Sequence, residues 1–128
     1  MTITLIILAI VLSILSGFFK AICDTSEEGV LKFKNTFFWI KDLSWRNKWK
    51  NQGRKQGEAF WGSSRWFVSF TDGWHLFGML FRLVYAKLYI CVGLLIYINI
   101  WYSFSGIVAY ILFAVSFHLF YNSKLLRK

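Results

Sequence analysis

Asp72 and His75 are the residues whose spacing in this 128-residue chain most suggests chemistry. They belong to the segment Thr71-Asp72-Gly73-Trp74-His75. Residues three apart on a helix share a face. A carboxylate placed there orients an imidazole and raises its basicity, as general acid–base catalysis requires. Three further residues, Cys23, Asp24 and His118, fall at a similar depth in the topology derived below. Asp24, His75 and His118 are therefore weak candidates for a metal site or a proton path. Their spacing fits no known metal motif, so neither a metal nor another cofactor is expected. The structural alternative is that Asp72 and Asp24 form ion pairs that tie helices together.

A second set is made of cations and indole rings. Trp45, Arg46, Lys48, Lys50, Arg54, Lys55 and Arg65 lie within one short stretch that also holds Trp49. Clustered cations beside a membrane attract anionic lipid at about 1 kcal/mol each. Tryptophan rings suit the headgroup layer. Such a stretch reads as a lipid- or phosphate-binding surface, or simply as a determinant of topology. The same charges attract nucleic acid, but no motif for reading it accompanies them, which argues against that partner.

The elements that hold these residues follow from where charge is missing. All 15 basic and all 6 acidic side chains fall between Lys20 and Lys87 or between Lys124 and Lys128. Residues 1–19 and 88–123 carry none. About 18 apolar residues suffice to cross a hydrocarbon core. The second window is 36 residues long, about 54 Å as one helix, so it reads as two crossings. The turn signal between them is Ser103-Phe104-Ser105-Gly106. The first window lacks a basic segment before its apolar run and a small-residue cleavage site, so it reads as a retained membrane helix. The spans are then 2–22, 85–102 and 104–122, followed by a basic tail over 123–128.

Residues 65–84 are ambiguous. Arg65, Ser69, Asp72, His75 and Arg82 share one side of a helical projection, and aromatic residues fill much of the rest. A central Asp in a span costs roughly 2.5–3.5 kcal/mol. This pattern predicts an amphipathic helix lying in the membrane interface, not a fourth crossing. Three spans also keep every Lys and Arg on one side, in accord with the positive-inside bias. The fold class is an all-α membrane protein with about three transmembrane helices, an interfacial helix and a basic cytoplasmic loop over 25–64. Within that loop, Thr25 and Glu28 have capping-box spacing, which predicts a helix from about 26 to 40. The N-terminus is expected outside and the C-terminus in the cytoplasm.

Composition supports this class. The chain is 57% hydrophobic and only 16% charged, with mean hydropathy +0.50. That excludes a disordered tail and an ordinary water-soluble domain. Ala9, Ser13 and Gly17 recur every four residues on the first span, a stripe that lets helices approach closely, within one chain or between copies. Cys23 and Cys91 are expected to stay reduced. There is no nucleotide-binding loop, nucleophile elbow or zinc signature.

The stretches Ser44-Trp45-Arg46-Asn47-Lys48 and Thr71-Asp72-Gly73-Trp74-His75-Leu76-Phe77 resemble a group of small, uncharacterised bacterial integral membrane proteins that pair a WRNK-type loop with a TDGWH-type segment. The likeness covers roughly residues 17–80. It implies a bacterial inner membrane and carries no activity.

Three functions follow as expectations. The leading one is a non-enzymatic membrane protein whose basic, aromatic cytoplasmic platform binds anionic lipid headgroups or a membrane protein partner. The second is a membrane-embedded enzyme on a phosphorylated or lipid substrate, with Asp72 and His75 as acid and base. The third is a homo-oligomeric channel or membrane effector.

Overall fold

The computed structural model describes residues 1–28, 38–39 and 45–126. The helix expected over 26–40 falls mostly outside the described residues, as do the final Arg127 and Lys128. Three long helices carry the fold: α1 (Thr2–Glu27), α2 (Gly73–Ile98) and α3 (Phe104–Tyr121). With the short turn before α3, all three are long and apolar enough to cross a membrane, the mark of a multi-pass membrane protein. Helices suit that setting because each backbone polar group finds its partner within the segment. Much of the outward surface is apolar, including Ile3, Ile7, Val11, Leu94, Ile107 and Val115. Such a surface is the expected one where lipid is the solvent.

α1 lies against both other helices. Ala9 and Leu12 pack with Leu88 and Cys91 of α2 and Ala109 of α3. The Cys91 thiol donates to the Leu5 carbonyl at 3.1 Å. A second cluster joins Ala21 and Ile22 to Phe77, Phe117 and Leu126. α2 and α3 meet through long aromatic side chains, with Phe81 and Tyr85 against Phe113. α1 and α3 therefore run the same way and α2 runs against them. The C-terminal end of α1, the N-terminal end of α2 and the C-terminal end of α3 gather at one end of the bundle, which we call the polar end.

Four sequence expectations change. First, α1 does not stop at residue 22. Thr25, read as the cap of a new helix, sits inside α1, and its hydroxyl donates back to the Ala21 carbonyl at 2.8 Å. Second, no separate helix covers 65–84. Residues 68–70 form one 3-10 turn, and α2 starts at Gly73 and passes residue 84 without a break. The polar residues that suggested an interfacial helix include Asp72, which is the cap that starts α2. Third, the span expected over 85–102 ends at Ile98. Asn99 is extended (φ −158°, ψ 129°), and its side chain accepts from the Trp101 N–H at 3.0 Å. That Asx cap, and not the Ser103–Gly106 cluster, makes the turn.

Fourth, Lys87, expected near the start of its span, lies in the middle of α2. The uncharged part of α2, 88–98, has eleven residues, about 16 Å, too short to cross a core about 30 Å thick. A stretch of α2 long enough to cross therefore includes Lys87. Its neighbour Leu88 packs beside Ala9, Leu12 and Ala109, well inside the charge-free lengths of α1 and α3. Lys87 is exposed at that level, and Arg82 is exposed closer to the polar end. Helical side chains lean toward the helix N-terminus, here the polar end, which helps both cations reach headgroups.

Candidate functional site

The Asp72–His75 pair sits where α2 begins. Asp72 is extended (φ −157°, ψ 158°) and its side chain is fully buried. It accepts from the His75 backbone N–H at 2.8 Å and lies 2.7 Å from the His75 ring Nδ1. The Thr71 hydroxyl lies 3.3 Å from the same carboxylate. Burial is the largest single influence on the Asp72 carboxyl and pushes its pKa up. The bonds from the His75 ring, the His75 N–H and Thr71 together outweigh it and hold the carboxyl below its ordinary value. A helix N-terminus also favours an anion. Every side-chain bond of Asp72 thus goes to the first turn of α2 or to the residue before it. The arrangement caps a helix and orients an imidazole whose side chain is about 30% exposed.

Three residues that sequence reasoning missed secure this corner: Phe38, Trp39 and Asn47. The Gly73 N–H donates to the Phe38 carbonyl at 2.7 Å. A Cβ at Gly73 would come within 2.6 Å of the Trp39 ring, so glycine is what lets that ring lie on the helix start. Trp39 also stacks on Phe77 at 5.7 Å. From the other side, the Asn47 amide donates to the Thr71 carbonyl at 2.9 Å. The WRNK and TDGWH segments are therefore joined, by Asn47 to Thr71. An exposed-looking Asn in a polar run gives no sequence signal for such a bond.

The wider layer expected at this depth does not converge. Cys23 faces α2, its thiol 3.7 Å from the Trp74 carbonyl. Asp24 faces α3 and pairs with Lys20 at 2.6 Å through Oδ2. Asp24 and His118 line an open cleft of about 700 Å³ with Lys20, Glu27, Glu28 and Tyr121. The Tyr121 hydroxyl donates to Glu28 there. His75 is held on α2 by Asp72, while His118 belongs to this cleft between α1 and α3. Among the described residues, no three His, Cys, Asp or Glu side chains stand close enough to hold a metal.

The basic, aromatic stretch folds as a chain of tight turns: Trp45–Lys48, Lys50–Gln52 and Arg54–Gln56. A short antiparallel bridge pairs Trp49 with Glu58. The Lys50 N–H donates to Gly57 at 3.0 Å and the Ala59 N–H to Lys48 at 2.9 Å. The Ser63 hydroxyl, buried, donates to the Lys48 carbonyl at 2.8 Å. These bonds fold the turns back on one another, and Arg46, Lys50, Arg54, Lys55 and Arg65 remain exposed. Lys48 is half-buried. Phe60, Trp61, Trp66, Phe67 and Phe70 are exposed on the same segment. Arg54 sits 5.9 Å from the Trp49 ring centre, close enough for a cation–π contact.

The small-residue stripe lies inside the chain's own packing. Ala9 and Ser13 are buried on α1. A Cβ on Gly17 would fall 2.0 Å from the Ser116 hydroxyl and 2.8 Å from the Phe113 carbonyl of α3.

Compared with known protein families, curated proteins and solved structures, this chain matches none. The site must therefore be read from its own geometry.

Proposed function

We propose that the chain is a non-enzymatic membrane protein that holds a basic, aromatic platform against the anionic, cytoplasmic face of a bacterial inner membrane. The observation that carries this reading is the folded segment 45–70. It presents Arg46, Lys50, Arg54, Lys55 and Arg65 together with Trp61, Trp66 and Phe70, all exposed, beside the polar end of an apolar bundle. Cations supply attraction to anionic headgroups, and exposed aromatic rings supply partition into the interface. Neither alone gives stable placement, whereas the two together do. In this reading the N-terminus is outside and the C-terminus is cytoplasmic, and the same surface serves a membrane protein partner with an acidic face.

The enzyme reading has less support, because Asp72 spends its bonds on the helix start and is closed to solvent. The platform is tested with full-length protein in a neutral detergent, titrated with phosphatidylglycerol and followed by native mass spectrometry. Replacing Arg46, Lys48, Lys50, Arg54 and Lys55 by Gln weakens binding, by about 1 kcal/mol per cation that touches lipid. The wild-type affinity falls as salt rises. Unchanged binding in the five-fold variant overturns the proposal.

A further inference from the structure

The platform contains a recess of about 350 Å³ lined by Trp49, Trp61, Trp66, Glu58 and Arg65. The turn that builds it is made by Gly62, whose backbone is left-handed at φ +74°. That turn points backbone N–H groups at the carboxylate four residues earlier. The Gly62 N–H donates to Glu58 Oε2 at 2.9 Å and the Ser64 N–H to Oε1 at 3.2 Å, with the Ser64 hydroxyl also on Oε1. These bonds, that of the Ser64 hydroxyl first and that of Gly62 next, hold the Glu58 carboxyl below its ordinary pKa. An ionised carboxylate offers about four acceptor positions. Three are taken here, so a fixed anion with capacity left lines the recess.

The walls suit a cation as well. Trp61 and Trp66 are each 78% exposed, which leaves indole faces open to a ligand ammonium. Arg65 adds a guanidinium on the same rim, suited to a phosphate. A negative group, a positive group and aromatic walls within one small recess match a ligand that carries both charges a few bonds apart.

We propose that this recess binds the zwitterionic headgroup of a phospholipid, its phosphate on Arg65 and its ammonium between Glu58 and the faces of Trp61 and Trp66. The site rests on the platform's placement at headgroup depth and shares its Arg65, Trp61 and Trp66, but adds the carboxylate of Glu58. The platform responds to net negative charge. The recess requires the ammonium, and Glu58 repels a headgroup that has only a phosphate.

The test uses the full chain in neutral detergent with phosphatidylethanolamine, phosphatidylcholine and phosphatidylglycerol of identical acyl chains, bound lipid being counted by native mass spectrometry. Glu58→Gln weakens the ethanolamine lipid about tenfold, the scale of one lost charged hydrogen bond, and leaves phosphatidylglycerol unchanged or tighter. Because Glu58 also organises its turn, Trp66→Leu is the second variant; it leaves that turn's hydrogen bonds in place and weakens the zwitterionic lipids more than phosphatidylglycerol. Binding of both zwitterionic lipids assigns the main role to the indole faces, and binding of the ethanolamine lipid alone assigns it to Glu58. Either result supports the recess. Zwitterionic binding unchanged in both variants, or an equal loss for all three lipids, overturns it. Loss of phosphatidylglycerol sensitivity to the five-fold Gln variant, with the ethanolamine lipid still sensitive to Glu58→Gln, overturns the platform and keeps the recess.

Discussion

Asp72 shows how one carboxylate can look catalytic and serve as a cap. Its pairing with His75 has the geometry that orients an imidazole, yet the bond to the His75 N–H is an N-cap bond. Asp72→Ala removes both and leaves the helix start short of an acceptor. It lowers stability by about 1–2 kcal/mol, measured by unfolding in detergent. Asp72→Asn keeps the capping acceptor and costs less. The pH dependence has a definite sign. The folded carboxyl lies below its ordinary value, so its stabilisation is present above about pH 4 and is lost as pH falls through the folded value. The stability gap between wild type and Asp72→Asn therefore shrinks as pH falls below about 4. A gap that grows in acid contradicts the assignment. The three-residue spacing was legible in the sequence. The burial was not, because the Phe38–Trp39 pair and Asn47 that cover this corner come from distant positions.

At the level of helices, two contacts decide the bundle. Gly17 brings α1 against the Ser116 turn of α3, with no room for a side chain. Gly17→Ala forces the helices apart and destabilises the bundle by about 1–3 kcal/mol, the cost of overpacking. Ser116→Ala restores only part of this, since the Phe113 carbonyl still stands in the way. Full rescue would show that the backbone approach does not matter. The second contact sets the depth of α2. Packing of Leu88 and Cys91 against α1 sets Lys87 level with the charge-free part of α1. A lysine near the middle of a span costs about 2.5–3.5 kcal/mol on insertion scales. Lys87→Leu therefore improves membrane insertion, read by a glycosylation or translocon assay. A loss of insertion would place Lys87 at the interface instead. The apolar stripe of α1 was plain from residue types, whereas the start of α2 was not. A helical projection of 65–84 counts Asp72 as a face residue, and only the chain's extended backbone at Asp72 shows that the helix begins after it.

For the whole molecule, α1 and α3 run parallel and α2 opposes them, which brings Lys20, the segment 45–70 and Lys124 to one end. Reporter fusions after Lys50 and after Lys124 are expected to report the same side, and a fusion at Met1 the other. Reporters on opposite sides at Lys50 and Lys124 would break the three-crossing arrangement.

Residue type alone determined that three stretches are apolar enough to cross a membrane, because desolvating an ion is costly and their apolar windows hold almost none. Which stretch begins where, and what the charged residues touch, belonged to the tertiary structure. Asp72 became a cap, Gly73 a seat for Trp39, and Glu58 the anchor of a turn through bonds that no spacing rule encodes. The physical reason is range: hydrophobic periodicity is a local property, while hydrogen-bond satisfaction at a helix end is completed by whichever distant segment folds onto it.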